Sequence, residues 1–299
     1  MSAAATEFRR RAIAPFTDKA GSFAPLKTAV FVLLVLPGAW IAWRYFTGTI
    51  GGNAIKALVR ESGLWGIRFI VLTLAITPLR RILVWPKLIT TRRMIGVAAF
   101  VYSALHLLAY FADMAFEWGA IGSEIVLRLY LLVGTIGLLA MVPLTVTSTD
   151  AMVRKLGGQR WRRLHQAVYA VGILAMLHFY LLLTKLYTPE AQILAGLLLW
   201  LLLYRVLYWW RDRATTAWLV GLSVLTWALT IAAEALYFLA TAGGRIPIGR
   251  VAMANFSLDA GVRPAWIVLS IGLALAAIGW YRDRTERAGR RARRVAEAG

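Results

Sequence analysis

The strongest metal-ligating side chains in this 299-residue sequence are its three histidines, His106, His165 and His178. His106 lies in VYSALHLLAYF, and the other two lie in WRRLHQAVYAVGILAMLHFY, a basic edge running into an apolar stretch. Lipid offers imidazole no hydrogen-bond partner, so a histidine in an apolar span implies a partner side chain or a bound ligand. The chain has no cysteine. That excludes disulfides, thiolate-held zinc, iron–sulfur clusters and covalent c-type haem attachment. What remains is imidazole ligation, and a flat apolar group that two imidazoles can hold from opposite sides is haem b.

The elements that must position these residues are membrane spans. Sixty per cent of the residues are hydrophobic, mean hydropathy is +0.66, and several apolar runs approach the roughly 20 residues that cross a bilayer. The sequence therefore predicts an all-α integral membrane protein, a bundle of about eight transmembrane helices. The spans are expected at 28–46, 62–85, 94–114, 126–147, 165–187, 189–210, 216–240 and 264–281, with 51–61 as a short interfacial loop and Glu117 and Glu124 in an acidic one. This divides the chain into a basic N-terminal segment (1–27), a transmembrane core (28–213), two further helices (214–281) and a basic tail (282–299). A cleavable signal peptide is not expected, because the basic leader is long and no small-residue cleavage site follows the first apolar run.

The formal net charge is +20 at pH 7. In a soluble protein that would point to nucleic acid; in a polytopic one the placement of Lys and Arg reports orientation. Most of the 34 lie in the N-terminal segment, in the turns holding Arg80 to Arg93, Arg154 to Arg163 and Arg211 to Arg213, and in the tail. Alternate loops are thus basic, which places both termini in the cytoplasm.

Counted from that side, His106 is twelve residues in from Met94, about 18 Å, and His178 is thirteen from His165, about 20 Å. The two levels match, in the outer half of a hydrocarbon core about 30 Å thick. Two neutral imidazoles at one level suit a bis-histidine haem b, whose six-coordinate iron transfers electrons rather than binding oxygen. His165 is harder to place. Thirteen steps of 100° leave it about 140° from His178 on a straight helix, so a bend or π-bulge near Gly172 is needed to align them. The positions thirteen and fourteen before His106 are Arg93 and Arg92, so His165 either ligates a second haem with a different sixth ligand or serves a flavin or quinone. The competing reading makes all three histidines structural, in a haem-free transporter or scaffold.

Other residues have narrower readings. Arg68, expected about five residues into the second span from the outer side, can offer its guanidinium to haem propionates or snorkel to the interface. Glu234, in TIAAEALYF, is an intramembrane carboxylate and so a proton-relay or partnered site. Arg92, Arg93 and Arg160 to Arg163 flank the level at which a flavin phosphate would bind. Tyr102, Tyr110 and Tyr169 read as packing, and Trp43 and Trp118 as interface anchors. No G-x-G-x-x-G follows a strand, and the tail after the last span is too short for a nicotinamide or FAD domain. No nucleophile stands beside a base, so no catalytic residue is assigned and bond-making chemistry is left to a partner.

The runs PLTVTSTDAMVRKLGGQRWRRLHQAVY, GLWGIRFIVLTLAITPLRR and RRMIGVAAFVYSALHLLAY resemble the MsrQ (YedZ) family, within the ferric-reductase-like transmembrane superfamily. The resemblance covers roughly residues 30 to 210. It implies a haem-binding membrane subunit of a protein-methionine-sulfoxide reductase system in the bacterial inner membrane, with haem b and FMN as cofactors. Electrons would come from the quinone pool or a cytosolic flavin reductase and go to a periplasmic molybdopterin enzyme, MsrP, that repairs oxidised methionine. By position it makes His106 and His178 the haem ligands and His165 the remaining family histidine. Such proteins commonly stop near the sixth span, so the last two helices are an addition on which the resemblance is silent. A direct metal reductase at the outer face would share the haem and differ in acceptor.

Overall fold

The computed structural model describes residues 16–17, 22–183, 189–211, 215–241, 247–257 and 261–298, with 183 and 286–298 described by their backbone. Most of the N-terminal basic segment and Arg213 lie outside the described residues. Those described form twelve α-helices, and no β-strand. They are α1 (Pro25–Phe46), α2 (Ala54–Ile82), α3 (Arg92–Asp113), α4 (Trp118–Leu127), α5 (Leu129–Val146), α6 (Asp150–Leu156), α7 (Gly158–His165), α8 (Val168–Leu183), α9 (Pro189–Arg211), α10 (Thr216–Thr241), α11 (Ile248–Ala254) and α12 (Pro264–Ala298). Eight helical segments are long and apolar enough to cross a membrane, which bears out the all-α, eight-span architecture.

Several boundaries differ from expectation, each for a local reason. The second span begins at Ala54, so 51–61 is not a loop: Asn53 Oδ1 accepts from the Lys56 amide at 3.0 Å, and the charged first turns are tied down by Arg44 and Glu61 at 3.6 Å. Pro78 stays inside that helix. Glu124 is helical, in α4, and α4 and α5 are separated by the extended backbone of Arg128. The basic loop after α5 is two short helices, joined through Gly157 at φ 74°, a conformation that glycine adopts without steric cost. α7 ends at His165 and α8 starts at Val168. The break in the helix between His165 and His178 thus falls at Gln166–Ala167, with Gly172 inside α8, and counting 100° steps between the histidines does not apply.

The chain divides into two units, residues 1–76 with 87–174, and 77–86 with 175–299. In the first, Tyr102 of α3 is wedged into α1. Its hydroxyl accepts from the Gly38 amide at 2.6 Å and donates to the Leu34 carbonyl at 2.9 Å. It thereby bridges an i, i+4 pair of α1 beside Pro37, which itself has no N–H to give. Gly38 is required there, since a methyl group would stand 2.8 Å from the Tyr102 oxygen. Tyr102→Phe is expected to cost about 1–2 kcal/mol, since both groups lose a buried partner; denaturant unfolding in detergent checks it.

In the second unit, α9, α10 and α12 approach closely at glycines. A methyl group at Gly196 would lie 2.6 Å from Thr230 Oγ1 and Val268 Cγ2, and one at Gly272 would collide with Ser223. Such small residues let helix backbones meet where no hydrophobic effect drives them together. Ser223, Thr226 and Thr230 are buried on α10 and return their hydroxyls to their own helix at 2.7–3.0 Å.

Candidate cofactor-binding sites

The first unit contains a cavity of about 260 Å3 at the end carrying its basic residues, lined by α2, α3, α5, α7, α8 and the turn before α3. Its polar wall is Arg92, Arg93, Thr145, Ser148, Trp161 and His165; Ile70, Met141, Leu144 and Val171 supply the apolar one. Three local features build that wall. Thr149 caps α6 by accepting from the Met152 amide at 3.2 Å, so the chain turns back after α5. The Trp161 indole then donates to the Thr147 carbonyl at 2.9 Å, fastening α7 across the end of α5. Arg93 pairs with Asp150 at 2.5 Å, fastening α3 to the start of α6.

His165 lies under Trp161, ring centroids 3.8 Å apart and stacked. Its Nδ1 faces the Trp161 carbonyl at 3.1 Å, and its Nε2 faces Ser148 Oγ at 3.4 Å. Ser148 gives its own hydrogen to the Leu144 carbonyl at 2.7 Å, so the Nε2 contact is loose. The arrangement presents one imidazole nitrogen, an aromatic plane and two guanidinium groups to an apolar hollow. That is a donor set for a flat molecule bearing anionic arms, either carboxylate or phosphate. The sequence had placed Arg92, Arg93 and His165 at one level; Trp161, Ser148 and Thr145 came only with the fold.

His106 is elsewhere in the same unit, outside that cavity's lining. Its Nδ1 is 2.7 Å from the Val59 carbonyl of α2. The hydrogen must therefore sit on Nδ1 and the lone pair on Nε2, the tautomer in which imidazole ligates iron. The ring packs over Gly63, where a methyl group would be 2.7 Å from Nδ1. One turn further along α3, the Tyr110 hydroxyl is buried with no hydrogen-bond partner. It shares the His106 face at i, i+4 spacing. Taken from the sequence as packing, Tyr110 instead offers an unused donor, which fits a propionate-bearing group at His106.

Arg68 is not five residues from a helix end but midway along α2, about 21 Å from each. It stacks on Trp65 at 4.4 Å and lies inward of Gly63, away from the Tyr110 side of His106. His178 belongs to the second unit, half-buried on α8. Two residues on, Tyr180 donates a short hydrogen bond to Gln192 Oε1 of α9. Glu234 is buried at 1% exposure and is partnered: Arg263 Nη2 donates to it at 2.8 Å and Asn255 Nδ2 at 3.0 Å. Among the described residues no group of three or more His, Asp or Glu side chains is arranged to hold a metal ion.

An all-helical membrane bundle with these histidines has the attributes of a ferric-reductase-like transmembrane protein, and residues 62–176 match the family model described as "Ferric reductase like transmembrane component". That segment contains His106 and His165. More closely, the chain is 46% identical over 181 residues to the protein-methionine-sulfoxide reductase heme-binding subunit MsrQ of Rhodospirillum rubrum, covering 60% of this chain and 86% of that one. It is 40% identical to the MsrQ proteins of Caulobacter vibrioides (63% and 88% covered) and Azospira oryzae (64% and 82%). The chain belongs to the MsrQ family. No solved structure matches it.

Proposed function

We propose that this chain is a haem b electron-transfer subunit that serves methionine sulfoxide reduction by a partner. The observation that carries the reading is the His106 Nδ1 contact to Val59, which presents Nε2 as an iron ligand on a helix wall cleared by Gly63. His106 and His178 would ligate the haem iron, as the resemblance of the sequence to the family implies, and Tyr110 would donate to a propionate. Bound haem b supplies one-electron cycling between ferric and ferrous iron; the chain's residues hold it, fix the imidazole orientation and exclude water.

His165, Trp161, Arg92 and Arg93 hold a second redox group at the basic end. Either a haem with its propionates on the arginines or FMN with its phosphate there satisfies the donor set. Arg68, mid-span on α2, supplies a positive charge between the two levels rather than an outer propionate clamp, and a charge in that low-dielectric region favours the reduced state of its neighbours.

With the basic ends in the cytoplasm of a bacterial inner membrane, electrons enter from quinol or a cytosolic flavin reductase. They leave at the opposite face to a periplasmic, MsrP-like molybdoenzyme, which carries out the bond-breaking step. The core doing this is 28–213. His165→Ala is expected to keep the His106/His178 haem and lose only the inner group. Haem and flavin counted per chain by pyridine haemochrome and fluorescence check this. Complete haem loss in His165→Ala would contradict the assignment of two separate sites.

A further inference from the structure

We propose that Tyr180 is a positioning residue for His178, tying its orientation to the C-terminal helices of the second unit. The inference rests on His178 being a haem ligand, as in the proposed function. His178 and Tyr180 stand on the same stretch of α8, two residues apart and so on opposite sides of the helix. Tyr180 reaches α9, where its hydroxyl donates to Gln192 Oε1; Gln192 is 0% exposed. A ligand helix gripped from behind in this way cannot rotate about its axis, and that rotation is what would swing the His178 imidazole.

The grip itself is anchored. One turn inward from Gln192, Gly196 of α9 meets Thr230 of α10. One turn outward from Thr230 comes Glu234, which holds Asn255, next to α11, and Arg263, at the start of α12. The Trp266 indole closes the set by donating to the Asn255 carbonyl at 2.6 Å. An unbroken series of contacts therefore runs from α10, α11 and α12, beyond the segment matched by the family model, to the helix bearing the proposed ligand. The added helices act as a clamp on the ligand helix.

The test uses the purified full chain with bound haem. Tyr180→Phe keeps the ring and deletes the donor; Gln192→Met keeps the bulk and deletes the acceptor. Low-spin ferric haem reports the angle between its two imidazole planes through its largest g-value, and loss of haem to excess apomyoglobin reports how firmly the ligands hold. Each variant is expected to shift that g-value and to lose haem a few-fold faster, below the roughly tenfold scale of removing a partner bonded directly to a metal ligand. The double variant should do no more than either single one, because one contact is being removed. Trp200→Phe, which deletes a buried bond to Ser223 in the same unit, should change neither readout. If wild type holds haem and Tyr180→Phe and Gln192→Met leave both readouts unchanged, the positioning role is overturned and the haem assignment stands. If wild type holds no haem, the proposed function fails and the inference falls with it.

Discussion

His106→Ala is expected to fold, insert and purify without its outer haem, and His178→Ala to do the same. The deletion of the His106 side chain removes one hydrogen bond to Val59, worth about 1 kcal/mol, which is too little to unfold a bundle of this size. It also removes one of two axial ligands. The five-coordinate haem left behind would lose low-spin bis-imidazole character and, held by a single imidazole, would dissociate during purification. Size-exclusion elution at the wild-type volume with the haem-to-protein ratio lowered by a whole haem is the expected pair of results. Full haem retention in either variant would remove that residue from the ligand set.

Arg263→Met should be the most destabilising single change in the second unit. Glu234 is 1% exposed and would lose the guanidinium that donates to it at 2.8 Å, while keeping the Asn255 amide at 3.0 Å. Removing one partner of a buried ion pair costs about 3–5 kcal/mol, whereas replacing both with apolar groups can be nearly neutral. The double variant Glu234→Leu, Arg263→Met should thus regain most of the stability that Arg263→Met loses. Thermal or denaturant unfolding in detergent measures both. A loss from Arg263→Met within about 0.5 kcal/mol, the range of an exposed pair, would show that the carboxylate does not depend on the guanidinium.

The spans were legible because hydropathy over twenty residues depends only on composition. Their ends were less so. Lys56, Arg60 and Glu61 made 51–61 look like a loop, although Asn53 before them was a visible helix cap. Because the helix starts at Ala54 rather than near Ser62, Arg68 lies at the middle of α2 instead of near its outer end. The level of His106 can be counted along its own helix, but neither the depth nor the rotation of His178 follows from His165, because α7 and α8 are separate helices broken at Gln166–Ala167. Contacts that depend on which helix is the neighbour were invisible: Val59 and Gly63 against His106, Trp161 over His165, Tyr180 on Gln192. Glu234 reads from the sequence as a proton-relay or partnered carboxylate, and the fold gives it Arg263 and Asn255 as partners.

The central claim is that the histidines hold haem b, and the dithionite-reduced minus oxidised visible spectrum of the purified protein tests it most directly, with haem per chain from the pyridine haemochrome. The expected result is sharp b-type α and Soret bands with at least one haem per chain, the outer one abolished by His106→Ala and by His178→Ala. A colourless protein after expression with haem supplied would contradict the claim, leaving histidines that serve only to join helices.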